Sequence, residues 1–216
     1  RNKTSIYTDW LTVILFFVLI LMATVRVSYS KYLDHLFQSM LNYPTSFRMF
    51  REKNYSFFHG AYRLEIYFYF TLSIFVFQLL NYFQINVGYS NFLLFILCLA
   101  SVLIYYLLKK GIYILLGSVF EGLPETREYL FNMDNFNRIG GLFLFPFVLL
   151  IAFSPFKTPA FIVLAGIFVF MFFYFFLIQR GILILMKKQF SKFYLFLYLC
   201  SLEFLPLFLI YSIVIN

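Results

Sequence analysis

Charge is what this sequence has least of: 12% of its 216 residues are Asp, Glu, Lys or Arg. A water-soluble domain carries roughly a quarter, so a soluble fold is excluded. Cysteine is nearly absent as well. Cys98 and Cys200 both lie inside apolar runs, where a thiol acts as a small hydrophobe rather than as half of a disulfide or a metal pair. The two histidines, His35 and His59, have no second His, Cys or carboxylate at a ligand spacing, so no metal, haem or other cofactor is expected. G-x-S-x-G, H-E-x-x-H, a glycine-rich phosphate loop and the paired glutamates of intramembrane metalloproteases are all missing. The chain is therefore expected not to be an enzyme. It begins at Arg1 rather than at methionine, which leaves room for residues upstream.

What is abundant is apolar surface, with 63% of residues hydrophobic and 25% aromatic. A membrane span needs about 20 mainly apolar residues at about 1.5 Å each. Six runs qualify, at about 10–27, 64–83, 92–108, 139–156, 160–178 and 193–215. The fold class that follows is an all-α polytopic membrane bundle of about six transmembrane helices. The fourth run is the weakest, because Gly140, Gly141, Pro146 and Pro155 predict a kinked or short helix. Before it, "PETREYLFN" reads as a short helix and "NMDNFNR" as a turn.

Lysine and arginine set the orientation, because cytoplasmic loops retain them. Fourteen of the seventeen follow the first, third and fifth runs, and only Arg1, Lys3 and Lys157 stand on the other side. Both ends should then face away from the cytoplasm. The net charge of +8 comes from this asymmetry and would sit against anionic inner-leaflet lipid. Nucleic acid is not an expected partner, since no folded domain carries the charge. Within the first basic segment, Tyr32, Leu33, Leu36, Phe37, Met40 and Leu41 recur at helical spacing between polar residues. This predicts an interfacial amphipathic helix over about 30–41, closed by Pro44.

The chain also repeats itself. "YYLLKKGIYILLGSVF" at 105–120 aligns with "FFLIQRGILILMKKQF" at 175–190, an offset of 70 that sets Lys110 on Arg180 and Gly111 on Gly181. Two hairpins of the same sense result, spans two with three and four with five, a parallel repeat. In both copies the apolar pattern continues past the basic pair, through Ile112, Leu115, Leu116 and Val119 in one and Ile182, Leu185, Met186 and Phe190 in the other. Spans three and five should extend to about 120 and 190. A helix over 92–120 would be about 43 Å long against about 30 Å of hydrocarbon. Gly111 and Gly181 mark where bending is easiest. These extensions either pack on each other and on the amphipathic helix, or form an apolar platform for another membrane protein.

One carboxylate lies deep. Glu203 is ten residues into the sixth run, about 15 Å from its start and near the midplane, where a carboxyl is expected to be neutral and to donate a hydrogen bond. Pro206 removes a backbone donor close by and bends the helix. "GLFLFPFVLL" with Pro146 echoes "SLEFLPLFLI" with Pro206, and interrupted spans in corresponding positions suit a transporter site. The echo is incomplete, since Phe143 stands where Glu203 would. Ser201 is the nearest polar neighbour of Glu203 in the sequence. Arg26, Arg63 and Glu65 fall near span ends, where snorkelling and pairing give them a structural role.

"DW" at the head of the first span, Arg51 with Glu52, "NRIGGLFLFPFVLLIAF" and "LYLCSLEFLPL" resemble an uncharacterised family of polytopic inner-membrane proteins from Bacteroidota, known as a domain of unknown function. The resemblance implies a Gram-negative inner membrane, with both termini periplasmic, and brings no activity or catalytic residue. The expected role is a non-catalytic subunit or scaffold of an envelope or protein-secretion complex. The alternatives are a small transporter or proton-coupled channel using Glu203, and a lipid-binding membrane protein.

Overall fold

A computed structural model describes residues 5–51, 55–84, 88, 90–119, 122–153 and 160–186. Among them it holds seven helices and no strand: α1 (Ser5–Ser28), α2 (Ser30–Leu41), α3 (Tyr43–Arg51), α4 (Tyr55–Tyr82), α5 (Asn91–Val119), α6 (Leu123–Phe153) and α7 (Ala160–Met186). All but α2 and α3 are long and apolar enough to cross a membrane, so the chain is an all-helical, multi-pass membrane protein. The sixth run, at 193–215, lies outside the described residues.

The helices divide by what they bury. Within their apolar windows α4 is 56% buried and α6 39%, against 22% for each of α1, α5 and α7. The pair α4 and α6 forms the centre of the bundle, and the others present apolar side chains outward, as a helix does when its solvent is hydrocarbon. One core cluster, with Leu15, Val18, Tyr67, Phe77 and Val148, fills the space between the spans. A second, with Val25, Leu36, Leu64, Met133 and Ile139, closes the end where α2 lies. At Gly141 the central helices come close enough that a Cβ would stand 3.1 Å from the Cα of Phe68.

The amphipathic helix forms as expected, and its apolar face is turned to protein: Tyr32, Leu33 and Leu36 are buried in the second core. It stops at Asn42, whose extended backbone donates N–H to the Gln38 carbonyl. Pro44 cannot continue α2, yet its fixed φ suits the first turn of α3.

The repeat is visible in the helix bounds. α6 starts 68 residues after α4, and α7 starts 69 after α5. Gln78 Nε2 donates to the Val148 carbonyl at 3.0 Å across the centre, joining two residues that the offset of 70 makes equivalent. The two glycines of the repeat differ in use. Gly111 faces open space, whereas a Cβ at Gly181 would lie 2.7 Å from the ring of Tyr129. Neither interrupts its helix.

One expectation fails in part. The fourth span, expected to be kinked or short and to follow a turn, is not short, and no turn at "NMDNFNR" precedes it, since α6 runs over 31 residues, through that stretch and through Pro146. Its polar residues looked like a loop because their partners are remote in sequence. Glu128, Asn132, Asn135 and Arg138 are buried against α2, α3 and α4, and tertiary bonding outweighs local propensity. The extension of α5 reaches Val119 as expected, and most of its apolar side is not folded inward. Leu116 packs on the second core, but Leu115 and Val119 are 61% and 63% exposed, and Ile112 is exposed with them.

Candidate functional site

Four charged residues gather where α2, α4, α5 and α6 meet. Glu65 comes from the second turn of the apolar part of α4. Lys110 lies nine residues before the end of α5, and Asp134 and Arg138 stand one turn apart on α6. Lys110 Nζ bridges Glu65 Oε1 at 2.7 Å and Asp134 Oδ1 at 2.9 Å. Arg138 Nη2 reaches Glu65 Oε2 at 3.3 Å, while its Nη1 donates to Asn135 Oδ1 at 2.9 Å and to the Tyr32 hydroxyl at 3.2 Å. Tyr69 donates to Glu65 Oε1 at 2.9 Å. Two carboxylates thus meet two cations, so the quartet is neutral as a whole. Neutrality is what permits it at the edge of a bilayer, where an unpaired charge is costly.

The balance of charge does not extend to every donor. Among the described residues, Arg138 Nε and Asn135 Nδ2 are buried without acceptors, a situation that costs about 1–3 kcal/mol for each group. The quartet therefore ties helices together and fixes their register at some expense in stability.

A second set fastens α2 and α3 to the bundle. Arg180 of α7 donates from Nη2 to the carbonyls of Ser39 and Met40, at 2.9 and 2.8 Å, which caps the negative end of α2 with a cation. Its guanidinium also stacks over the rings of Tyr43 and Phe136. Ser46 donates to Asn132 Oδ1 at 2.7 Å, and Tyr43 donates to Glu128. Burial raises the pKa of Tyr32. Burial, followed by the bond to Glu128, pushes that of Tyr43 up to about 12. Both phenols stay protonated through the neutral range, Tyr43 donating to Glu128 and Tyr32 accepting from Arg138.

Sequence reasoning placed the site elsewhere. Ser201, Glu203, Pro206 and Phe190 lie outside the described residues. Pro146 is exposed on α6, eight residues beyond Arg138, and does not touch the quartet. Ile112, Leu115 and Val119 line the outer side of α5. Ile182 is half-buried on α7, and Leu185 with Met186 stands in its last turn. Of the quartet, only Glu65 was singled out. Its partner is not the neighbouring Arg63, which lies over the Tyr29 ring. Lys110 was read through orientation and the repeat, Arg138 through orientation, and Asp134 as part of a turn. The available signal was the i, i+4 spacing of Asp134 and Arg138, which a helix sets on one face.

Among the described residues no group of His, Cys, Asp and Glu could hold a metal ion, and the quartet pairs no nucleophile with a base. Its chemistry is that of a charge-balanced clamp. No curated protein and no solved structure matches the chain. The family model for a domain of unknown function, DUF4271, matches residues 11–214, and with nearly its whole length covered the chain belongs to that family.

Proposed function

We propose that the chain is a non-catalytic integral subunit, or scaffold, of a bacterial inner-membrane complex of the envelope or of protein secretion, with both ends of the given sequence on the periplasmic side. The observation that carries this reading is the outer face of α5. The quartet marks the level at which charge becomes tolerable, and α5 continues nine residues past Lys110, about 13 Å. Ile112, Leu115 and Val119 stay exposed over that length. Apolar side chains held beyond the hydrocarbon by a rigid helix are a contact surface for another protein. The neutral clamp supports the same reading, since it makes the bundle a firm support for that surface.

The test is a photocrosslinking residue at Leu115 in the full chain, irradiated in native membranes and followed by affinity purification. A discrete adduct with another membrane protein is expected, and it should vanish when the same residue is placed at Leu97, on the exposed mid-membrane part of α5. A protein that purifies as a monomer, with adducts to lipid alone, overturns the reading. Orientation is tested separately by thiol labelling of Val27→Cys from either side of sealed vesicles.

A further inference from the structure

A groove of about 460 Å³ opens between α2, α6 and α7. Phe37, Met40 and Leu41 of α2 form one wall, and Phe143 of α6 with Phe168 and Phe172 of α7 form the floor and the other wall. Its size falls within the range of small-molecule sites, about 300–1,000 Å³. These side chains offer no polar group that would orient a soluble metabolite. Phe37 meets Phe143 edge to face at 6.3 Å, and Phe143 packs on Phe173 at 5.3 Å, so the walls are stiff rings in mutual contact.

Depth identifies the occupant. Arg180 holds the end of α2 at the charged boundary, and Phe168 precedes it by twelve residues of continuous helix, about 18 Å. Half of a hydrocarbon core is about 15 Å thick. The groove therefore starts under the amphipathic helix and ends near the midplane, which is the reach of one acyl chain. Its sides also open onto bilayer, since Phe143, Phe168 and Phe172 are all exposed. Charge selects the headgroup. Lys31, Arg48 and Arg51 are exposed on α2 and α3. Basic residues at a membrane surface attract anionic lipid by about 1 kcal/mol each.

We propose that the groove between α2, α6 and α7 binds one acyl chain of an anionic phospholipid drawn from the leaflet on the basic face. This does not rest on the subunit reading, and either can fail alone.

The experiment uses the full chain in phosphatidylcholine vesicles doped with phosphatidylglycerol that carries a photoactivatable acyl chain. Adducts should saturate near one lipid per protein and concentrate on 37–41 and 168–173. They should be depleted from Leu97 and Leu107, which face lipid on α5. Unlabelled phosphatidylglycerol should compete about tenfold better than phosphatidylcholine, as two basic contacts allow. Val169→Trp fills the groove from its floor and should abolish the enrichment. Leu41→Trp narrows it from the exposed rim, without disturbing the core, and should weaken the enrichment with helicity unchanged. Adducts spread evenly over the groove and α5 would show ordinary boundary lipid and overturn the proposal. So would a crosslink between two copies at Phe172, because protein would then fill the groove. Equal competition by the two lipids would overturn the anionic assignment. If Val169→Trp fails to fold, the wild-type adduct map and Leu41→Trp still decide.

Discussion

Arg138 of α6 and Glu65 of α4 meet at 3.3 Å, guanidinium nitrogen to carboxylate oxygen, with the arginine side chain 8% exposed. The contact joins the two central helices, and Lys110 extends it to α5 through the same carboxylate. Removing one member, Arg138, costs most, because the quartet is left with two carboxylates sharing a single cation, Lys110.

Arg138→Met should therefore lower stability in detergent by about 3 kcal/mol. Glu65→Gln combined with Arg138→Met should recover part of that loss. Unfolding of the wild type, both single variants and the double variant gives the coupling directly. Additive losses would mean that the two residues act separately.

Two glycines give opposite expectations. At Gly141 a methyl would press on the Phe68 backbone, which cannot step aside, so Gly141→Ala should destabilise by roughly 1–3 kcal/mol. Gly111 faces open space within α5. Gly111→Ala should be neutral or stabilising by up to about 1 kcal/mol. Thermal unfolding in one detergent compares them.

Arg180→Leu removes both bonds to the end of α2. Bonds to charged groups contribute about 1.5–3 kcal/mol, so amide exchange over 30–51 should speed up at least about tenfold. Exchange in α4 should stay unchanged. Equal acceleration in both would show that α2 and α3 do not open as a local unit.

The Tyr43 phenol has a folded pKa of about 12, above the ordinary value of about 10. The neutral form is the one the fold favours. Its stabilising contribution is complete below about pH 10, and it is lost as pH rises through the folded value. Tyr43→Phe should flatten the alkaline limb of a stability profile between those limits, and an unchanged limb would assign that limb to other groups.

The subunit reading also makes a claim about Glu203. Proteoliposomes holding a pH-sensitive dye should show no proton flux with the wild type or with Glu203→Gln, and both proteins should assemble equally. A wild-type flux that the substitution abolishes would favour the proton-coupled reading instead.

What the sequence made legible follows from how local each signal is. The apolar runs that became α1, α4, α5 and α7 were readable because a bilayer demands uniform apolarity over a fixed length. The periodicity of α2 was equally plain, because it is written within twelve residues. The 70-residue offset could be found because Lys110 with Gly111 and Arg180 with Gly181 punctuate otherwise uniform stretches. In the first half of α6, "PETREYLFN" was legible as helix, but "NMDNFNR" does not form the expected turn. There the polar residues are satisfied by Tyr32, Tyr43, Ser46 and Glu65, which stand 73 to 106 positions away in the chain. One-dimensional patterning cannot distinguish such residues from a solvated loop. The quartet was hidden for the same reason, since its members come from three helices and declare themselves only when packed.

The equivalence of Gln78 and Val148 across the centre gives the bundle two halves of like plan, and the residues that close those halves have diverged. Lys110 is spent inside, on acids. Its counterpart Arg180 holds the end of α2. Duplication alone would have left two matching flanks and invited symmetric neighbours. Among the described residues, α2 partly roofs the flank of α7, while Ile112, Leu115 and Val119 of α5 are exposed, so the two hairpins present different faces. The outward apolar side chains of α5 and the groove beside α2 are therefore unlike surfaces, although the two hairpins that carry them share one plan.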